Sequence, residues 1–396
     1  MVDLTLDDDE REVRNWVRTF VTKELMPLEQ EVLTRERRGE RGITREELTA
    51  LQDTARRAGF FGIQTPVDHG GMGLGAVTAA LVEIELGRTF VQFSFGGDAD
   101  NILYDANEAQ QERYLRPTIS GARRSCFAMT EPGAGSDARA IRTSARRDGD
   151  DWVINGEKTF ITGGHEADFV LVFAVTGVRD QAEGVPVSDS GVTCFLVDRD
   201  QGWTSQPIDT MGEWGPAALV FDDVRVPHSA ILGEEGKGFP LAMRWIGRGR
   251  YLLPARGLGA CERLVEMGME QARNRVTFGK PIAERQAIQW MIADSAVEIE
   301  ALRWLVLTAA WQVDQGLDSR HAQSMAKLYG GVKANEIVDR VLQIHGGMGY
   351  TRELPIERWY RELRLLRIYE GTDEIQRRTI ARNLLRGHVS VRGHLG

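Results

Sequence analysis

Glu370 stands in the run RIYEGTDEIQR, just ahead of a stretch with helical spacing that reaches about Arg386 and stops at Gly387. Thr372 is a residue type that caps helix N-termini, and Asp373 and Glu374 fall in the first turn, where the macrodipole favours acids. A carboxylate at such a place either accepts a proton from a substrate or merely solvates a helix end, and on spacing alone the second reading is the commoner. A second candidate is CFAMTEPGAGSDA, Cys126 to Ala138, whose Gly133, Gly135 and Ala138 satisfy a loose dinucleotide-binding fingerprint. The flanks contradict that fingerprint: it needs an apolar helix after it, whereas Arg139 to Arg147 is studded with arginines and leads into a hairpin pattern. The same residues suit a tight loop in which the Thr130 and Ser136 hydroxyls and an unhindered glycine backbone bond a ring edge and a phosphate.

Three kinds of segment must position these residues. From Asp7 to about Glu112 the pattern is helical, with Val13, Trp16, Val17 and Phe20 spaced for one apolar face, interrupted by the glycine-rich DHGGMGLG. From about Ser125 to Gly233 the period shortens to β-like runs: WVINGEKTFIT, with a hairpin turn signal at Asn155-Gly156, then DFVLVFAVTG, GVTCFLVDRD and AALVFDDVRVP. These predict an antiparallel sheet or barrel, with SDSG near Ser188 as a loop. After Gly238 the helical period returns, and Ile288, Met291, Ile292, Ile299 and Leu302 share a face with the small Ser295 between them, which predicts a helical bundle.

A chain of 396 residues exceeds what one ordinary core organises, so two or three domains are expected. The formal net charge of -9, with no long basic stripe, argues against a nucleic-acid partner. Cys126, Cys194 and Cys261 are widely separated and odd in number, which supports neither a disulfide framework nor a zinc knuckle, so no metal is expected. The start, MVDLTLDDDEREV, is acidic, and no apolar run reaches spanning length. No transit peptide, signal peptide or membrane span is expected, and the expected compartment is cytoplasmic.

The string CFAMTEPGAGSDA is followed in order by NGEKTFITGG from Asn155, RVTFGKPIAERQ from Arg275, QIHGGMGY from Gln343 and RIYEGTDEIQR from Arg367. With GFFGIQTPVDHGGMGLG near the amino end and VRVPHSAILGEEGKGF near the middle, this ordered set resembles the acyl-CoA dehydrogenase family over almost the entire chain. The resemblance implies an α+β fold: an N-terminal α-helical domain at 1–123, a middle antiparallel β-barrel at 124–234 and a C-terminal four-helix bundle at 235–396. It also implies FAD as cofactor, an acyl-CoA thioester as substrate, an electron-transferring flavoprotein as partner, and a homotetramer arranged as a dimer of dimers.

Carried over by residue, the resemblance sets Phe127, Met129, Thr130 and Ser136 around the isoalloxazine together with Phe160, Ile161 and Thr162. Thr162 would bond near flavin N5, and Phe160 would cover one flavin face where many relatives carry Trp. Arg275 would clamp the FAD pyrophosphate, a task suited to a planar guanidinium. Thr277, Phe278, Arg285 and Gln286 accompany it, and this segment reaches the FAD of a neighbouring subunit, as does the loop of Gln343, Ile344, Gly346 and Gly347. His345 in that loop is expected to make one local hydrogen bond and take no part in catalysis. Thr372 and Glu374 complete the implied cofactor contacts, while Ser136, Gly247, Arg250, Tyr369 and Gly371 are the implied substrate contacts.

Glu370 then takes the family's general-base position. It would remove the pro-R α-proton while hydride leaves the β-carbon for flavin N5, with the thioester oxygen held by the flavin ribityl hydroxyl and the Glu370 N–H, giving a trans-2-enoyl-CoA. Isovaleryl and long-chain types carry the base at the position equivalent to Gly249, where no acid stands, so this chain resembles the short- and medium-chain types. Two strings depart from the family pattern. MGEWGPAALVF is shortened after Met211, and VQFSFGGDADN, Val91 to Asn101, is acidic for the wall of an alkyl pocket; either it lies outside the pocket or the acyl tail carries a polar group. Three rival readings stay open: an acyl-CoA oxidase, whose relatives are mostly longer; a flavin monooxygenase, whose relatives usually lack the glutamate; and an idle acyl-CoA-binding subunit, disfavoured by base and flavin loops standing intact together.

Overall fold

The computed structural model describes residues 6–177, 191–213 and 215–391; the SDSG loop near Ser188 and Trp214 of the MGEWG string lie outside the described residues. The amino-terminal helices are α1 (Asp8–Phe20), α2 (Glu29–Arg37), α3 (Arg45–Arg57) and α4 (Ala76–Gly87). Capping boxes start two of them: Asp7 with Glu10 at α1, and Thr44 with Glu47 at α3. The expected α1 face is real. Val17 and Phe20 are buried, Trp16 stacks on Phe60 at 3.7 Å, and Phe20 packs against Phe93 and Phe95. The helical expectation to Glu112 holds at its far end but not between α4 and Asn107, where the chain is largely irregular. Gly96 and Gly97 both take left-handed φ, 73° and 81°, a backbone no helix continues, and helix returns from Glu108 to Ser120, where α5 (Glu108–Gln110) and α6 (Arg116–Ser120) are joined by a π-helical turn at Gln111–Leu115.

Eight strands then form one sheet: β1 (Ser125–Ala128), β2 (Ser144–Asp148), β3 (Asp151–Thr162), β4 (Phe169–Val175), β5 (Val192–Asp198), β6 (Thr204–Pro207), β7 (Pro216–Pro227) and β8 (Ile231–Leu232). Their order is β6-β7-β3-β2-β4-β5-β8, with β1 beside β4. Pairing is antiparallel throughout except where β4 meets β1 and β2 in parallel. Every residue of β4 and β5 is buried, which explains their unbroken apolar runs. The hairpin turn expected at Asn155-Gly156 lies instead at Gly149 and Asp150, where Gly149 takes φ 65° and Asp148 pairs Asp151. Asn155 and Gly156 sit inside β3 at a register shift against β7. There Asn155 exchanges two 2.9 Å hydrogen bonds with Asp223, and a Cβ on Gly156 would press into Thr143.

The carboxyl-terminal part runs through α7 (Gly238–Asn274), a hairpin of β9 (Val276–Thr277) and β10 (Lys280–Pro281), α8 (Gln286–Asp314), α9 (Arg320–His345), α10 (Gly347–Tyr350), α11 (Ile356–Leu365) and α12 (Asp373–Leu385). On α8, Ser295, Ile299 and Leu302 are buried, and Ile288, Met291 and Ile292 pack on Ala272, Ile282 and Ile344. Among the described residues no helix is long and apolar enough to cross a membrane.

The chain forms two compact units, one of Met1–Gln64, Gly73–Phe95 and Gly247–Gly396, the other of Thr65–Met72 and Gly96–Ile246. In the first, α4 and α7 cross backbone to backbone: a Cβ on Gly259 would overlap the Ile84 carbonyl, and one on Gly87 the Arg256 carbonyl. The fully buried Arg358 of α11 reaches Glu36 of α2 at 2.6 Å and lies over the Phe90 ring. Two glycines of α7 should therefore respond oppositely to alanine. Gly259→Ala is expected to lower stability by about 1–3 kcal/mol or more through overpacking. Gly268→Ala, whose Cβ would meet its nearest neighbour at an ordinary 3.5 Å, should raise it by about 0.5–1 kcal/mol, with denaturant midpoints as the check.

Candidate active site

In the second unit, β1 runs into the loop that carries Met129 to Ser136, and β3 lies beside it. The Thr159 N–H donates to the Thr130 carbonyl at 2.9 Å, so the two flavin-candidate segments are brought together. Lys158, fully buried, donates to the Met129 carbonyl at 3.0 Å and to Glu131 Oε1 at 2.8 Å. Glu131 also accepts from the N–H groups of Arg142 and Thr143, at 2.5 and 2.9 Å. Burial pushes the Glu131 carboxyl up, but the Lys158 charge and these hydrogen bonds outweigh it and hold the group below the usual carboxylate range. No helix follows the loop: a single 3₁₀ turn, Ala138–Ala140, leads to β2, so the strand–loop–helix of a dinucleotide fold is absent at this place.

Phe160 sits at a register shift in β3 between Lys158 and Ile161 with φ 57°. Its flanking residues Thr159 and Ile161 are buried while Phe160 is 62% exposed, so it is turned out of the sheet and is no core residue. Thr162 and Ser136 are exposed, and Gly133 and Gly135 have open space where a Cβ would stand. An outward aromatic face, hydroxyls and bare main chain fit a flavin ring and its phosphate. The side chains of Met129 and Ile161 are buried, so these two can meet a ligand only through their main chain. Phe127 stacks on Trp245 at 4.0 Å, and Trp245 donates to Asp100, which also accepts from Ser125, each at 2.6 Å. The acid of the VQFSFGGDADN run is thus used internally at Asp100.

In the first unit, Glu370 and Gly371 both take left-handed φ, 55° and 91°, in the turn between α11 and α12. Gln376 donates to the carbonyls of Glu370 and Gly371 at 3.1 and 3.0 Å, Arg250 Nε donates to the Glu370 carbonyl at 3.3 Å, and Arg367 pairs Asp373 at 2.7 Å. Lys327 donates to the Leu366 carbonyl and, at 3.4 Å, to that of Gly371. Thr372 caps α12 as expected, accepting from the Ile375 N–H. Glu370 as a whole is half-buried, but its Oε2 is buried and makes no hydrogen bond. Burial raises its pKa to about 7 against the opposing charges of Arg250 and Lys327. A Cβ on Gly249 would come within 3.0 Å of Glu370 Cγ and 3.2 Å of Cδ, so the alternative base position adjoins the space this carboxyl fills. Burial beside Glu370 lowers the Arg250 pKa and raises that of Tyr369.

The remaining candidates fall on two surfaces of the first unit. Arg275, Thr277 and Phe278 share the β9–β10 hairpin, with Phe278 at φ 52° and 97% exposed at its tip. Arg285 donates to the Thr277 carbonyl at 2.8 Å with its guanidinium 5.8 Å from the Phe278 ring, and Gln286 opens α8. Gln343 is exposed on the last turn of α9, Gly346 ends it at φ 59°, and Gly347 opens α10; the Ile344 side chain is in the core. His345 belongs to α9 and not to a loop, and its one local bond, Nδ1 to the Val341 carbonyl at 2.8 Å, is as expected. Gly247 stands near Gln323, Tyr369 is partly buried and Glu374 is exposed. Sequence reasoning missed Lys158, Glu131, Lys327, Gln376 and Trp245. The only signal for Lys158 was its place at an inward position of an alternating strand.

Family models described as the acyl-CoA dehydrogenase N-terminal, middle and C-terminal domains match residues 7–122, 126–224 and 236–385. The 3-(aryl)acrylate reductase of Clostridium sporogenes is 37% identical over 384 residues, covering 94% of this chain and 98% of its own. The human mitochondrial short-chain specific acyl-CoA dehydrogenase is 36% identical over 385 residues, 94% of this chain and 89% of its own. The solved structure of butyryl-CoA dehydrogenase from Megasphaera elsdenii superposes with a TM-score of 0.84 at 32% identity, covering 97% of this chain and all of that one.

The Lys158–Glu131 pair should respond as a unit. Lys158→Met leaves a buried carboxylate unpaired and is expected to cost about 3–5 kcal/mol of stability. Adding Glu131→Gln should recover a large part of that loss in a double-mutant cycle read by denaturant unfolding.

Proposed function

The chain belongs to the acyl-CoA dehydrogenase family of FAD-dependent oxidoreductases, and from that premise we propose that it removes hydrogen from the α and β carbons of an acyl-CoA thioester with Glu370 as the base. The observation that carries this reading is the Glu370 carboxyl: buried at one oxygen, bonded to nothing there, and titrating near neutrality. A structural acid at a helix start would spend its oxygens on the helix N–H groups, as Asp7 does at α1. Glu370 leaves that task to Thr372 and keeps its lone pairs for a proton.

Bound FAD supplies a hydride acceptor. The residues that would hold it are the outward Phe160 and Thr162, with Phe127 of β1 and Thr130 and Ser136 of the loop that follows it. Arg275, Phe278 and the Gln343 to Gly347 segment are read as reaching the cofactor of a second subunit, which makes the proposed active unit at least a dimer and the proposed assembly a homotetramer. Arg250 keeps the Glu370 carbonyl engaged, and Gly249 leaves room for the carboxyl. The domain division at 1–123, 124–234 and 235–396 is part of this reading and is supported by the extents of the three family models. Electron-transferring flavoprotein is the proposed acceptor and the cytoplasm the proposed compartment. Because the relatives' names include both a dehydrogenase and a reductase, an acyl-CoA panel should include short-chain and aryl-bearing thioesters, saturated and unsaturated.

Two outcomes test the reading. Glu370→Gln should stay yellow, bind acyl-CoA with a perturbed flavin spectrum, and lose at least about a hundredfold to ten-thousandfold in the rate of anaerobic flavin bleaching by stopped flow. In the wild type, a base that must be deprotonated makes kcat/KM fall about tenfold per unit as pH drops below about 7 and level off above it. Near wild-type bleaching in Glu370→Gln places the base elsewhere. The acceptor is tested by reoxidising substrate-reduced enzyme. Fast transfer to an electron-transferring flavoprotein or a dye and slow reaction with oxygen are expected, whereas stoichiometric peroxide under turnover makes the enzyme an oxidase.

A further inference from the structure

Lys327 is a fully buried cation in α9 for which the chemistry above has no use. Its ammonium donates to the Leu366 and Gly371 carbonyls, which bracket the residues 367–370, and it lies 5.8 Å from the centre of the Tyr369 ring. The small residues that follow it on α9 let the turn come this close: a Cβ on Gly331 would stand 3.0 Å from the Leu366 carbonyl oxygen. The charged groups facing it are Asp373 and Glu370, which favour its protonated form, and Arg250 of α7, which opposes it; Arg367 is occupied by Asp373. Burial is the largest influence and lowers its pKa to about 8.

Three physical requirements meet at this residue. A left-handed glutamate costs about 1–3 kcal/mol and persists only where its surroundings over-determine the backbone. Main-chain carbonyls turned inward need donors. A buried carboxylate stays ionised near neutral pH only with positive charge nearby, yet a cation bonded directly to it would occupy the lone pairs that must take a proton. Lys327 meets all three because its hydrogens go to the main chain while its charge acts on the carboxylate from a distance. Resting on the reading of Glu370 as base, we propose that Lys327 is a positioning residue that holds the Glu370 turn in its left-handed form and, alongside Arg250, supplies part of the charge that keeps the carboxylate available as a base.

The test uses the FAD-loaded enzyme and anaerobic bleaching across pH. Lys327→Met removes the charge, so the alkaline plateau should be reached later. The midpoint of the kcat/KM profile should move up by at least about half a pH unit, a roughly threefold loss on the acid limb, and kcat should fall more than KM rises. Lys327→Arg keeps a cation and should return the midpoint toward wild type, which a merely structural loss would not do. An unmoved midpoint in Lys327→Met overturns the proposal. If that variant does not fold, ¹³Cε-lysine NMR of wild type and Glu370→Gln reads the same coupling in reverse: losing the carboxylate must lower the Lys327 titration point, by reciprocity of linkage. An unchanged titration there overturns it equally. The two readings fail separately. Glu370→Gln that still bleaches defeats the base assignment, whereas abolished bleaching with an unmoved Lys327→Met profile defeats only the role of Lys327.

Discussion

A carboxyl taken out of water with an oxygen unbonded is driven toward its neutral form, and a base must avoid that without being captured by a neighbouring cation. Two buried lysine–glutamate neighbourhoods among the described residues resolve the conflict in opposite ways. At Glu131, the ammonium of Lys158 and two main-chain N–H groups bond the carboxylate directly, and it is held below the ordinary range. At Glu370, the hydrogens of Lys327 and the Nε–H of Arg250 go to main-chain carbonyls instead, and the carboxyl rises to about 7. Neighbouring cations thus give a structural pin in one place and leave a carboxyl oxygen unbonded in the other. The deciding variable is which oxygen receives the hydrogens.

The same logic appears in the backbone. Among the described residues, the non-glycine positions with left-handed φ are Phe160, Asp223, Phe278 and Glu370. Three of them are candidate site residues, and the fourth is clasped by Asn155. Such conformations persist where neighbours fix them. Phe160 follows Lys158 and Thr159, both bonded to the loop opposite. Phe278 is followed by Gly279 at φ 77°, above an Arg285 tied to Thr277. At Phe160 and Phe278 the left-handed backbone accompanies a side chain turned out to the surface.

Local chemistry was legible in the sequence and long-range chemistry was not. Thr372 announces a helix start because its partner lies three residues on; the capping boxes of Asp7 with Glu10 and Thr44 with Glu47 are equally local but were not read from the sequence. The faces of α1 and α8 follow from periodicity alone. The turn expected at Asn155-Gly156 failed because two residue types that favour hairpins also favour a bulge, and only the Asp223 partner, 68 residues away, decides between them. Lys158 and Lys327 look like solvated charges until their acceptors, 29 and 39 residues away, are known. His345 is expected in a loop because Gly346 and Gly347 follow it, but α9 runs to His345 before Gly346 ends it.

Gly249 shows how one position constrains another without a bond. A glutamate on α7 at that point would place its Cβ against Cγ and Cδ of Glu370, so two carboxylates would compete for one small volume. Like charges at such range are not both ionised near neutrality, and one would lose its function as a base. The fold therefore has room there for a single carboxyl, carried either by the helix or by the turn. Delivery from the turn needs more support, since it requires a left-handed glutamate and donors for the carbonyls around it, and Gln376, Arg250 and Lys327 provide that support. On the proposed reading of Glu370 as base, the absence of a side chain at Gly249 thus matters as much as the carboxyl itself.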